Sequence, residues 1–356
     1  MALATLVLTA LAASSLAPVG LYRVAWEKAL VSPVLLEWKP EEPGGPAVAP
    51  DRGTVVVGTR DGAVRAYRRD GSALWEVRTG APILAAPSIA GDTVYVGGGD
   101  GKLRAIGLGD GKERWSYDCK EEIGSPPVLA KGVVLFSTHQ DTVFAVDAAS
   151  GGWKWHQRRE AKAGFTIHGV ATPAVEGETV YAAWSDGTVA ALDLFTGKPR
   201  WERKVAPTGA FQDVDSTPQL RGSRLFVAAY SGAVLALDAR TGRVTWEFRV
   251  PAPCRLLLGK NVVVAVTATE VLGLTIDKGA RVWSVPLQGT PTADPVAAGS
   301  YVLIPAATGL LFLDERTRRR LRVFDPGTGV SSTPAVDGQR LYVLSNGGAL
   351  FALDLR

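Results

Sequence analysis

Pro218-Gln219-Leu220, Gly222, Leu225-Phe226-Val227, Ser231-Gly232, Ala236-Leu237-Asp238, Thr241-Gly242 and Trp246 form a phrase that recurs down the whole chain: a Pro-led apolar stretch, a Gly turn, an apolar run, a second turn, Ala-Leu-Asp, Thr-Gly and a Trp. A period of about 40 residues built from short apolar runs and Gly turns is the signature of a β-propeller, with one four-stranded antiparallel blade per repeat. The closing Trp stands at Trp75, Trp115, Trp155, Trp201, Trp246 and Trp283, and counting from Asp314 puts Arg322 at the same place in the next copy. A last copy starts at Pro334, runs through Tyr342-Val343-Leu344 and Ala352-Leu353-Asp354, and stops at Arg356 before any Thr-Gly or Trp. Near the other end, Arg23-Val24-Ala25-Trp26-Glu27 reads like Arg243-Val244-Thr245-Trp246-Glu247, an outer strand with no blade of its own. The expectation is an all-β, eight-bladed propeller spanning 21–356, closed by the N-terminal strand completing the C-terminal blade, which removes the edges an open stack would expose.

Within the repeat, mechanical roles account for the recurring residues. Gly62, Gly101, Gly187, Gly232 and Gly347 are read as the φ > 0 residues of tight hairpins. The Trp residues are expected to pack between blades. Asp147, Asp193, Asp238 and Asp354 share one repeat position and are read as turn residues rather than catalytic acids. Gly97-Gly98-Gly99-Asp100-Gly101 is read as a hairpin, because a phosphate cradle needs a strand followed by a helix.

Composition narrows the function classes. With 356 residues, 46% hydrophobic and 21% charged, the chain can bury a large core. Its 39 basic and 35 acidic residues are too balanced for a nucleic-acid binder, and Arg316, Arg318, Arg319 and Arg320 are read as a solvated hairpin turn. Residues 1–20 carry an apolar run, Leu3 to Leu16, resembling the hydrophobic part of a secretory signal with small residues at Ala13 and Ala17, although no Lys or Arg precedes it. Cys119 and Cys254 fall in blades far apart, so no disulfide is expected. Three histidines, no Cys-x-x-Cys, no Gly-x-Ser-x-Gly and no Walker motif leave no metal, cofactor or catalytic constellation to name.

Irregularity points to the site. Most stretches from a Trp to the next Pro-led strand are 12 residues, as from Trp75 to Pro87 or Trp283 to Pro295, but Trp155 to Pro173 is 18 and Trp201 to Pro218 is 17. Connections in adjacent blades emerge side by side. The first holds Phe165, Ile167 and His168, and the second holds Phe211, Asp213 and Asp215. Spacing alone leaves two readings: a patch with an apolar centre and charged rim that binds a partner, or side chains that turn inward to cap the blades, with an Asp accepting amide bonds. A third long connection runs from Trp26 to Pro46.

The repeat resembles that of the eight-bladed pyrroloquinoline-quinone dehydrogenases, but the vicinal Cys-Cys pair of those enzymes is absent, and a shared scaffold does not carry chemistry. A more specific resemblance lies in Asp213-Val214-Asp215-Ser216-Thr217-Pro218 with Ala229-Tyr230-Ser231-Gly232, followed by Val271-Leu272-Gly273-Leu274-Thr275-Ile276-Asp277. These stretches look like successive blades of the BamB family, lipoproteins of the outer-membrane β-barrel assembly machinery. That resemblance implies a non-enzymatic periplasmic scaffold, peripheral to the outer membrane, that binds the POTRA domains of a BamA-like protein, with unfolded outer-membrane proteins as further expected partners. The family docks through a Leu-x-Leu-Arg loop and an Asp-x-Asp loop. By position Phe165 and Ile167 match the leucines, His168 the arginine, and Asp213 and Asp215 the aspartates. His168 lacks the guanidinium fork, which weakens any salt bridge there. Residues 1–30 contain no cysteine to carry the family's lipid, so three expectations stand: a different start codon, a soluble form, or retention by the partner. An oxidoreductase-like propeller and a sensor or adhesion propeller are the alternative readings.

Overall fold

The computed structural model describes residues 20–32, 41–159, 170–205, 214, 216–230, 232–250, 254–287 and 289–356. They form eight four-stranded antiparallel sheets. Seven are contiguous in sequence: blade 1 runs from Gly45 to Arg78, blade 2 from Ser88 to Asp118, blade 3 from Val128 to Arg158 and blade 4 from Ala174 to Lys204. Blade 5 runs from Gln219 to Arg249, blade 6 from Cys254 to Pro286 and blade 7 from Val296 to Phe324. The eighth combines Ala335–Asp337, Arg340–Leu344 and Ala349–Leu355 with the N-terminal strand Tyr22–Ala29, which pairs antiparallel with Ala349–Leu355 in the register Tyr22↔Leu355 to Ala29↔Ala349. The closure expected from the sequence is thus observed. Among the described residues no helix is long and apolar enough to cross a membrane.

Why the ring holds together follows from the period of two in the middle strands. In blade 3, Val133 and Leu135 face blade 4, while Val134 and Phe136 face blade 2. Eight apolar clusters result among the described residues, one at each junction between neighbouring blades. The junction of blades 8 and 1 is filled by Tyr342, Leu344 and Leu350 against Val55 and Val57. Each blade is too thin to bury its own faces, so stability comes from the stack.

The Trp residues sit where their spacing placed them. In six repeats the indole N–H donates to a carbonyl of the next blade: Trp26 to Arg69, Trp75 to Leu108, Trp115 to Ala148, Trp155 to Leu194, Trp201 to Ala239 and Trp246 to Ile276, at 2.8–3.1 Å. The ring lies on the turn glycine before that blade's outer strand. A Cβ on Gly279 would stand 2.4 Å from the Trp246 ring, and Gly279 has φ +64, so two independent constraints select glycine there. Arg322 replaces Trp in blade 7, opposite Phe312, with its guanidinium 5.9 Å over the Tyr22 ring.

Two details differ from expectation. The left-handed residue of the last hairpin is Gly348, not Gly347, because the hairpin closes through Gly348 N–H to the Ser345 carbonyl, directly before the strand that starts at Ala349. Asp354 lies within the strand Ala349–Leu355 rather than in a turn, and it pairs with Arg340 at 2.8 Å and Arg23 at 2.9 Å, tying the closure strand. The other aspartates at this position accept turn amides, as Asp193 does from Phe195 and Thr196 and Asp238 does from Thr241. The Gly97–Gly101 string is a hairpin between two strands, as read.

These turn carboxyls make the fold acid-sensitive. The Arg200 hydrogen bond, helped by Thr196 and the turn amides, lowers Asp193 from 3.8 to about 2. Asp147 is lowered chiefly by Lys154, Asp238 by Thr241 and Asp314 by the Thr317 amide. Each folded-state value lies below the unfolded one, so the contribution is complete above about pH 4 and is lost as the pH falls towards about 2. Each increment is small, but they act in several blades. The urea midpoint is expected to fall steadily across that window, and Asp193→Asn, which cannot titrate, should flatten the slope. A midpoint independent of pH between 5 and 2.5 would contradict this.

Candidate functional site

The two long connections leave from the ends of blades 3 and 4. Phe165, Ile167, His168, Phe211, Asp213 and Asp215 all lie outside the described residues, so the structure speaks only of the ground on which they stand. That ground converges on one side chain. Trp184, 2% exposed, directly follows the second strand of blade 4, Thr179–Ala183, and its carbonyl accepts the Val214 N–H at 3.2 Å, fixing the close of the second connection. The guanidinium of Arg159, the last described residue before the first connection, lies 5.0 Å over the Trp184 ring and pairs with Glu202 on the strand that leads to the second. Val170 and Ala171, where the first connection ends, line the same small cavity as Trp184 and Val214. The adjacency inferred from spacing therefore holds for the described ends of both connections.

Further bonds fix the frame. The Ser185 hydroxyl and amide both donate to the Asp141 carboxylate, joining the hairpins of blades 3 and 4 across the face, with Asp141 itself at φ +57. Ser216 is held in both directions at Ala228: its hydroxyl donates to the carbonyl at 3.1 Å and accepts from the amide at 2.8 Å. Thr217 donates to Asp294 at 2.7 Å, and Arg255 lies 3.5 Å from the same carboxylate. The cavity beside Trp184 has about 10 Å³ of room for the centre of a water-sized sphere, and two of its lining residues, Trp184 and Ser137, carry buried polar atoms, Nε1 and Oγ, without a hydrogen-bond partner. A floor of mixed polar and apolar side chains with spare hydrogen-bonding groups suits holding recognition loops.

Sequence reasoning missed Trp184, Arg159 and Asp141. A signal existed: of the ten tryptophans, Trp26 and the six that close repeats follow the repeat, and Trp184 is one of the three left over. Elsewhere, Cys119 and Cys254 are buried free thiols, pushed up to about 11 and about 12 by burial. Among the described residues no group of three or more His, Cys, Asp or Glu is placed to hold a metal.

With this geometry in view, comparison with known proteins gives a consistent placement. The profile of the family described as outer membrane protein assembly factor BamB matches residues 23–108, 60–285 and 208–356. The chain is 40% identical over 164 residues to the serine/threonine-protein kinase AfsK of Streptomyces griseus, covering 42% of this chain and 20% of the kinase. It is 32% identical over 145 residues to BamB of Moranella endobia, covering 38% and 37% respectively. The match thus spans well under half the length of either relative. A longer match, to BamB of Legionella pneumophila, is 28% identical over 319 residues and covers 76% of this chain and 83% of that one. Among solved structures, BamB from Moraxella catarrhalis superposes with a TM-score of 0.78 at 23% identity, covering 92% of this chain and 99% of that one. A quinohemoprotein alcohol dehydrogenase from Pseudomonas putida superposes at 0.76 with 14% identity, covering 95% and 76%. At those identities both structures speak for the fold alone. The family profile, matched from residue 23 to the last residue, is the finding that decides: the chain belongs to the outer membrane protein assembly factor BamB family.

Proposed function

We propose that this chain is a scaffold of outer-membrane protein assembly, working in the periplasm at the outer membrane without chemistry of its own, and that it docks on the POTRA domains of a BamA-like protein. The observation that carries the reading is that the two long connections in adjacent blades, whose sequences resemble the docking loops of the family, have their described ends on a shared floor at Trp184. Phe165, Ile167 and Phe211 supply apolar anchors. Asp213 and Asp215 accept from a basic residue or from backbone amides, and His168 stands where the family has its arginine. Truncating anchors of this kind costs about 1–2 kcal/mol or more each.

The test is an affinity pull-down from the native cell envelope. The parent should retain a POTRA-containing outer-membrane protein. The Ile167→Ala, Asp215→Ala double variant should lose it while keeping its β-sheet circular dichroism and melting temperature. Retention by both would overturn the site, and retention by neither would overturn the partner. The match to a kinase favours a second reading, a ligand-sensing propeller, which predicts no envelope partner for either protein.

A further inference from the structure

The hairpin that joins the third and outer strands of blade 7 concentrates the charge of the molecule. Between residues 315 and 322 stand Arg316, Arg318, Arg319, Arg320 and Arg322 against the single carboxylate of Glu315. This stretch has a formal charge of +4, the same as that of the whole chain. All five arginines are exposed, and among the described residues none makes an ion pair. The corresponding hairpins of other blades neutralise themselves: Arg114 pairs with Asp110, Lys154 with Asp147, and Arg200 with Asp193. In blade 7 the equivalent Asp314 instead accepts from the amides of Arg316 and Thr317. The fold therefore presents five guanidinium groups to solvent with no carboxylate of its own bonded to any of them.

The flanks belong to the same surface. The outer strands of blades 6 and 8 stand on either side, and their repeat register brings Arg281 and Val282, then Arg23 and Val24, near the level of Arg320. Val282 and Val24 are 49% and 45% exposed, two of the few large apolar side chains left in water among the described residues. The rim of blades 6 to 8 is thus a row of arginines edged by single valines, with Arg23 at its end held by Asp354. We propose that this rim docks on a bilayer surface carrying anionic phospholipid, with the guanidinium groups on headgroup phosphates and the valines at the acyl boundary. A single-stranded nucleic acid calls for aromatic platforms between the charges. Among the described residues the large exposed aromatics, Trp153 and Phe195, are in blades 3 and 4, on another part of the rim. The proposal stands apart from the partner-binding loops, which lie at blades 3 to 5.

Vesicle flotation tests it, using phosphatidylcholine vesicles with and without phosphatidylglycerol. The parent should partition onto the anionic vesicles only, and should be released by half-molar salt. The triple variant Arg318→Gln, Arg319→Gln, Arg320→Gln should bind on the order of 100-fold less, since each such charge near a membrane contributes roughly a fivefold factor. The triple lysine variant keeps the charge and should bind like the parent, which guards against misfolding as the cause. A parent that ignores anionic vesicles, or one that binds them no better than the glutamine variant, overturns the proposal. So does a parent that ignores vesicles yet binds single-stranded DNA or an acidic peptide.

Discussion

A chain beginning at Val31 is expected to fail as a folded monomer, not simply to fray at one edge. The strand Tyr22–Ala29 is in contact with three blades. Tyr22 stacks on Phe312 of blade 7 at 5.5 Å and meets Phe324 edge-on at 5.6 Å. The strand supplies the outer pairing of Ala349–Leu355 in blade 8. Trp26 packs 6.4 Å from Tyr67 of blade 1 and 5.9 Å from Tyr342 of blade 8, and donates to the Arg69 carbonyl. Two aromatic side chains at about 2–3 kcal/mol each and a strand's worth of backbone hydrogen bonds at about 1 kcal/mol each amount to roughly the whole margin of a typical domain, about 5–15 kcal/mol. The loss also bares a long edge that invites pairing between copies. Size-exclusion chromatography should show aggregates or soluble oligomers, with no cooperative melt. A monomer melting within a few degrees of the parent would refute the closure argument. Point variants grade the effect: Trp26→Ala should cost about 2–4 kcal/mol, whereas Val24→Ala, at an exposed position of the same strand, should stay within about 0.5 kcal/mol.

What the sequence discloses here depends on repetition. The blade phrase is written seven times with small variations, so strand order, the Trp seats and the substitution of Arg322 for Trp could be read by counting. The closure could be read because Arg23 to Glu27 copies an outer strand. Single events were harder. Gly347 and Gly348 are adjacent, and only the closing bond of the hairpin says which takes the left-handed conformation. Asp354 looks like its equivalents, but its partners, Arg340 and Arg23, come from the two strands beside it, which no local pattern shows. The floor of the site was hidden for a similar reason. Trp184, Arg159 and Glu202 come from different strands of two blades, and their convergence is set by how those blades stack, which no local pattern encodes.

The second large effect is expected at Gly273, and it follows from two departures from the repeat in adjacent blades. In six blades the closing Trp lies on a glycine of the next blade's turn, so close that a Cβ there would stand within about 3 Å of the ring. Blade 7 has Arg318 at that place, at φ +58, so a Cβ stands where the other blades leave room for the ring. Trp283 therefore cannot lie as the others do. It folds back over its own blade, against Gly273, where a Cβ would be 2.2 Å from the indole Cε2, and packs towards Ile304 and Leu311. The residue opposite the Trp is alanine in the other blades, including Ala105, Ala191 and Ala236, because there the ring points away. Gly273→Ala should consequently cost about 2–3 kcal/mol through overpacking, although the same alanine is the rule elsewhere. Arg318→Gly alone should change stability by no more than about 1 kcal/mol, since relief of the positive φ is offset by the added freedom of the unfolded chain. Together the two changes restore both features of the common repeat, so Trp283 can swing onto residue 318, and the double variant should recover a coupling of about 1–2 kcal/mol. Urea titration of the four proteins measures this directly. If the two single effects simply add, the orientation of Trp283 has a cause other than Arg318. If they couple, the glycine in blade 6 and the arginine in blade 7 are two halves of one packing solution.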